Sequence, residues 1–91
     1  MNDSRRKAIK GAISKIEEAK NALEEAQSEL HTLKDEEQDY LDNMPESFQS
    51  GDKGTRAEDA VSNLDAAINS LDEAVTTIED AVSEAEQAVE G

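Results

Sequence analysis

The side chains best suited to acid–base or metal chemistry in this sequence are its carboxylates and one histidine. The chain has no cysteine, and His31 is the single histidine. Catalysis needs a nucleophile or base held with its partners in a pocket. Here the neighbouring carboxylates, such as Glu17 with Glu18 and Glu24 with Glu25, fall on solvated faces of helical stretches, as does His31. The sequence therefore predicts no catalytic residues, no metal ligands and no cofactor, and a chain that is not an enzyme.

Short motifs in the middle of the chain could bind ions, but none has the required spacing. The stretches DNMPES and GDKG lack the ligand order of a calcium loop. GDKGT lacks the G-x-x-x-x-G-K-[ST] pattern of a phosphate loop. No Glu-x-x-His pair faces the interior of a helical bundle, so a di-iron centre is not predicted either.

Composition and charge indicate a small, strongly acidic domain. The chain has 91 residues and a net charge of −14, and only 35% of its residues are hydrophobic, so a single copy has little bulk for a globular core. No lysine or arginine follows Arg56, and such a chain should repel nucleic acid and anionic membranes. The acidity either serves solubility or matches a basic surface on a protein partner.

Nothing in the sequence predicts insertion into a membrane. No segment approaches 18 consecutive apolar residues, and no apolar run follows the basic N-terminal residues, which argues against a spanning helix and a signal peptide. The absence of cysteine is compatible with a reducing cytoplasm, so we expect a cytoplasmic protein of a bacterial host.

The second half of the chain repeats with the seven-residue period of a coiled coil. Apolar residues occupy every a and d position of this period. The a positions are Val61, Ile68, Val75, Val82 and Val89, and the d positions are Ala57, Leu64, Leu71, Ile78 and Ala85. Thr55 and Glu58 fit a capping box at the helix start, so the second long helix is expected over about residues 55–90.

The first half follows the same period. Its a positions are Ile9, Ile16, Leu23, Leu30, Glu37 and Met44, and its d positions are Ala12, Ala19, Ala26, Leu33 and Tyr40. Pro45 disfavours helical backbone in the residue before it, so the first long helix is expected over about residues 4–43 and the loop over 44–54. Glu37 at an a position either marks a wet last layer or fixes the register at a cost in stability.

Two helices joined by a short loop predict an all-α fold, an antiparallel two-helix coiled-coil hairpin that forms one domain over residues 1–91. In an antiparallel pair e positions face e positions, so Lys34 should meet Asp65 and Lys20 should meet Glu79. The second helix carries only acids at e, and these form a candidate acidic face. They are Glu58, Asp65, Asp72, Glu79 and Glu86.

Alanine occupies every g position of the second helix, namely Ala60, Ala67, Ala74, Ala81 and Ala88. A stripe of a, d and g positions is wide enough to bury against a further helix, although alanine is also the best helix former. Because so small a chain often needs self-association to be stable, we expect a homodimer. The hairpins would join through this alanine flank into a four-helix bundle.

The loop end of the hairpin concentrates the bulky non-aliphatic side chains Tyr40, Met44 and Phe48. Pro45 to Phe48 fit one short helical turn. Met44 and Phe48 either fold back as a plug over the last layer or bind a partner, because exposed aromatic and methionine side chains in an acidic rim are good interface anchors.

The stretch DNMPESFQSGDKG, residues 42–54, together with the acidic heptads around it, resembles a loop of small acidic helical-hairpin proteins from bacteriophages and mobile elements. That resemblance implies a non-enzymatic protein-binding module: a phage inhibitor with an anti-defence role that binds a basic surface of a host defence or nucleic-acid-handling protein. The alternative is a purely structural coiled coil that oligomerises or serves as a scaffold.

Overall fold

The computed structural model describes residues 1–91 and contains three helices: α1 (Asp3–Asp42), α2 (Glu46–Gln49) and α3 (Asp52–Glu90). The long helices α1 and α3 pack as an antiparallel hairpin, which confirms the predicted all-α fold. The chain divides into two compact units, one of residues 1–25 with 71–91 and one of residues 26–70.

The first unit joins the start of α1 to the end of α3. Ile13 is its most deeply buried residue, and Lys20 Nζ lies 3.7 Å from Glu79 Oε2, which confirms that predicted ion pair. Arg6 Nε donates a hydrogen bond of 3.1 Å to the carbonyl oxygen of Val89. A guanidinium at this point satisfies a free carbonyl of the last turn of α3 and opposes the negative end of its dipole.

The second unit contains the bend and the best-buried part of the hairpin. Ala57 and Ile68 are each only 2% exposed. Lys34 Nζ lies 2.8 Å from Asp65 Oδ1, which confirms the second predicted ion pair. Gln27 Nε2 donates a hydrogen bond of 3.3 Å to the backbone carbonyl of Ile68, so a polar side chain of α1 binds the backbone of α3.

The face that α1 turns toward α3 differs from the predicted one. The predicted a residues of α1 do face inward, but four of the five predicted d residues, Ala12, Ala19, Leu33 and Tyr40, are exposed. The residues one position after each of the five predicted d sites face inward instead, and Ala26 stays half-buried beside its neighbour. These five residues, buried or half-buried, are Ile13, Lys20, Gln27, Lys34 and Leu41.

Side-chain size and polarity explain this correction. Ile13 brings more apolar surface to the interface than Ala12, and burying it is favourable. Leu41 is wholly apolar, whereas Tyr40 carries a hydroxyl group that needs a hydrogen-bond partner when buried.

Lysine and glutamine can lay their aliphatic stems along apolar surface while their polar ends remain hydrogen-bonded. The ends of Lys20 and Lys34 contact acids of α3, and the end of Gln27 donates to the carbonyl of Ile68. These three polar residues can therefore lie inside the seam.

The bend corrects a second prediction. α3 begins at Asp52, so Thr55 lies inside the helix, and its Oγ1 donates to the carbonyl of Gly51 instead of accepting a bond at a capping position. The capping box is therefore wrong. The short turn after Pro45 is confirmed, because Pro45 is the N-cap residue of α2.

Gln49 holds the bend to the end of α1. Its Nε2 donates to the backbone carbonyls of Leu41 and Met44, each at 3.1 Å. The last carbonyls of an α-helix have no partner within the helix, so this amide does for α1 what a C-terminal cap would do.

We expect Gln49→Glu to lower the free energy of unfolding by about 1–3 kcal/mol, because a carboxylate cannot donate to these carbonyls. The Met44 carbonyl would lose this donor, and the Leu41 carbonyl would keep only the Met44 backbone N–H. The substitution also places a negative charge at the negative end of a helix dipole. Urea unfolding followed by circular dichroism measures the loss. Gln87→Glu, at an exposed position in the last turn of α3, is a control of equal charge, and equal losses in both variants would contradict the capping role.

Candidate functional site

The residues predicted to bind a partner at the loop end do come together. Tyr40, Asn43, Met44, Pro45, Phe48 and Lys53 line one groove of about 430 Å³, which we call the loop-end groove. Tyr40 is supplied by the last turns of α1, Phe48 by α2 and Lys53 by the first turn of α3. Lys53 Nζ lies 5.9 Å from the centroid of the Phe48 ring, within the range of a cation–π contact.

The structure decides between the two interpretations of Phe48. Its side chain is 52% exposed, and Tyr40 is 53% exposed, while Met44 is half-buried. Phe48 therefore does not plug the end of the hairpin, and the plug interpretation is wrong for this residue. What remains at the loop end is an open apolar surface with two aromatic rings.

The five acids of the predicted acidic face are all exposed on α3, but two of them serve the hairpin itself. Asp65 and Glu79 are the acids that pair with Lys34 and Lys20. The Lys34 ammonium, through its hydrogen bond and its charge, lowers the pKa of Asp65 below its ordinary value, with a smaller contribution from His31. These carboxylates set the register of α1 against α3, so the face is not a uniform surface reserved for a partner.

The alanine flank is likewise divided. Ala60, Ala67 and Ala74 are half-buried within the hairpin, whereas Ala81 and Ala88 are exposed. Most of this flank is thus already partly covered in a single copy. The predicted dimer interface through these alanines stays a prediction.

The other candidate groups lie apart from one another. His31 is exposed on α1, and no group of three or more histidine or acidic side chains is placed so that it could hold a metal ion. No helix combines the length and the apolar composition needed to cross a membrane.

Two features of the hairpin were not predicted from the sequence: the exposure of Leu33 and the capping of α1 by Gln49. Leu33 was predicted in the core, yet it is 50% exposed. Gln49 lies in the predicted loop over residues 44–54, yet its side chain caps α1. The signals that could have indicated the true inner face are the bulk of Ile13 beside Ala12 and the wholly apolar Leu41 beside Tyr40.

The two long helices pair along a seam of apolar residues and ion pairs. The bend between them is an open apolar surface and not a cluster of reactive groups. These features define a coiled-coil protein. Within that class the chain belongs to the FliJ family, because the family model described as "Flagellar FliJ protein" matches residues 3–91. No match was found among curated proteins or among solved structures.

Membership of a flagellar family corrects several predictions. The relation to phage and mobile-element proteins is wrong, and so are the inhibitor and anti-defence roles and the host protein with a basic surface as partner. The phage resemblance had one specific motif, the loop, whereas the family match covers both long helices. The alternative of a structural coiled coil agrees better with the family.

Proposed function

We propose that this chain is a non-enzymatic, structural coiled-coil component of the flagellar export apparatus and that it works in the cytoplasm. The observation that carries the proposal is the FliJ family match over residues 3–91, since that family belongs to flagellar export. The match includes all of α1 and α3, so the whole hairpin, and not one local motif, is what the chain shares with the family.

The contacts of the hairpin suit a structural role. Its ion pairs lie at intervals along α1 and α3, where Lys20 meets Glu79 and Lys34 meets Asp65. Exposed ion pairs add little stability but favour one register over its neighbours. A hairpin with a defined register presents the same outward side chains in the same order in every copy, which a scaffold requires.

A non-enzymatic role is supported by where the reactive groups lie. General acid–base catalysis requires a base within hydrogen-bond reach of its substrate and its partner groups. The single histidine and the paired carboxylates of α1 are exposed residues on helix faces, where water solvates them. We therefore assign the chemistry of export to other proteins and the positioning of those proteins to this chain.

Deleting the gene in the organism that encodes this chain should sharply reduce the flagellar filament protein found outside the cells, and swimming with it. A plasmid copy of the wild-type chain should restore both, as should Ala81→Ser, because Ala81 is exposed on α3. Ala81→Pro should not, because proline inside a helix costs about 3 kcal/mol or more.

Immunoblots of the two variants control for their cellular amounts. Export and swimming that are unchanged after deletion would overturn the proposed function. Full rescue by Ala81→Pro at a normal cellular amount would overturn the structural coiled-coil role.

A further inference from the structure

Three large hydrophobic side chains stand exposed in the unit of residues 26–70. Leu33, Tyr40 and Phe48 are each half exposed, at 50%, 53% and 52%. Leu33 and Tyr40 lie one heptad apart, so they share one side of α1. Tyr40 and Phe48 line the loop-end groove together. We call this apolar side the Leu33–Phe48 surface.

The chain as a whole leaves a large area for a partner to cover. Its accessible surface is 6448 Å², whereas a compact monomer of its mass exposes about 5,200 Å². The difference of about 1,200 Å² is surface of the whole chain, and it shows how little of its surface a single hairpin buries. Within one copy the only buried hydrophobic residues are Ile13, Ala57 and Ile68, so a single hairpin has a small core.

We infer that a second copy of this chain docks on the Leu33–Phe48 surface. A seven-residue spacing of apolar residues along a straight helix matches a second helix lying lengthwise upon it. In a twofold dimer the same patch meets itself, so the exposed leucine and aromatic rings of each copy would fill the open groove of the other. This inference is independent of the flagellar role.

This surface differs from the alanine flank that the heptads suggested. Three of the five g alanines are half-buried by the hairpin's own pairing, and the two exposed ones, Ala81 and Ala88, lie in the other unit. Burying alanine removes far less apolar area from water than burying leucine, tyrosine and phenylalanine. Covering the Leu33–Phe48 surface would therefore remove more apolar area from water than covering the alanine flank.

Charge gives the interface a characteristic salt dependence. Each copy carries a net charge of −14, so the two copies repel one another at low ionic strength. Salt screens this repulsion over a Debye length of about 10 Å at 0.1 M. Dimerisation should therefore strengthen as salt is added, whereas binding of a basic partner to the same surface would weaken.

Analytical ultracentrifugation of the full chain at about 0.05 M and about 0.5 M salt tests the inference. We expect a dimer that is tighter at the higher salt. The double variant Leu33→Gln, Tyr40→Gln should raise the dissociation constant by about tenfold or more. The matched control Ala81→Gln, Ala88→Gln should dimerise as the wild type does, and circular dichroism in dilute solution should show equal helix content in all three.

A second measurement uses the wild-type chain alone. Tyr40 is its only tyrosine and it has no tryptophan, so its emission reports on this surface. Quenching by neutral acrylamide should decrease as rising protein concentration drives dimerisation. A chain that stays monomeric at both salts, a dimer that weakens with salt, or a dimer lost in the alanine variant but kept in the double variant would each overturn the inference.

Discussion

Replacing Gly54 by alanine is expected to lower the free energy of unfolding by about 1–3 kcal/mol or more, the range for forcing extra atoms into a filled site. A Cβ on Gly54 would overlap the backbone of Gln49, including its carbonyl group and Cα. Backbone cannot turn aside as a flexible side chain can, so α2 would have to move away from α3. That movement would also pull the Gln49 amide from the carbonyls at the end of α1.

Gly11→Ala is the matched control. Gly11 lies in α1 with open space around the position of an added Cβ, so alanine there should stabilise the helix by about 1 kcal/mol. Both substitutions restrict the unfolded chain in the same way, so the difference between them isolates the overlap at Gly54. Urea unfolding by circular dichroism should give shifts of opposite sign, and equal shifts would show that α2 does not pack against α3 here.

The α3 half of the hairpin could be predicted in detail. Every a and d residue from Ala57 to Val89 is buried or half-buried, because an unbroken apolar period leaves one possible inner face. The ion pairs Lys20–Glu79 and Lys34–Asp65 followed from that period and from the acids at e. Periodicity and charge together thus determine the antiparallel register.

The inner face of α1 could not be predicted, because two stripes compete there. Both stripes include the predicted a residues. In the predicted stripe Ala12, Ala19 and Leu33 also face α3, whereas in the observed stripe the residue after each of them does. A pattern that counts polar residues as outward favours the alanines. It misses that lysine and glutamine can bury their stems and keep their polar ends bonded, as Gln27 does on the carbonyl of Ile68.

The candidate site was predicted in part. Tyr40, Met44 and Phe48 do gather in one groove, because the heptads and Pro45 place them at the same end. Their exposure could not be read from the sequence, since it depends on how α2 packs against Gly54. The family could not be read either, because acidic alanine-rich heptads satisfy the same physical requirements in many unrelated coiled coils.

Truncating Ile68 to alanine should be the most damaging change in the core. Ile68 is only 2% exposed, and removing a buried isoleucine side chain in this way typically costs about 2–5 kcal/mol. Small domains have a total stability of about 5–15 kcal/mol. Because the only other buried hydrophobic residues of this hairpin are Ile13 and Ala57, we expect a fall in Tm of about 10 °C or more in thermal unfolding followed by circular dichroism.

Leu33→Ala removes the same number of carbon atoms from a side chain that is 50% exposed. At protein concentrations too low for the proposed dimer to form, it should change stability by about 0.5 kcal/mol or less. The comparison also tests which face of α1 is inside, because the predicted heptads place Leu33 in the core at a d position. A loss at Leu33 as large as the loss at Ile68 would restore that register and would remove Leu33 from the exposed surface, whereas a small loss leaves Leu33 free to be covered by a second copy.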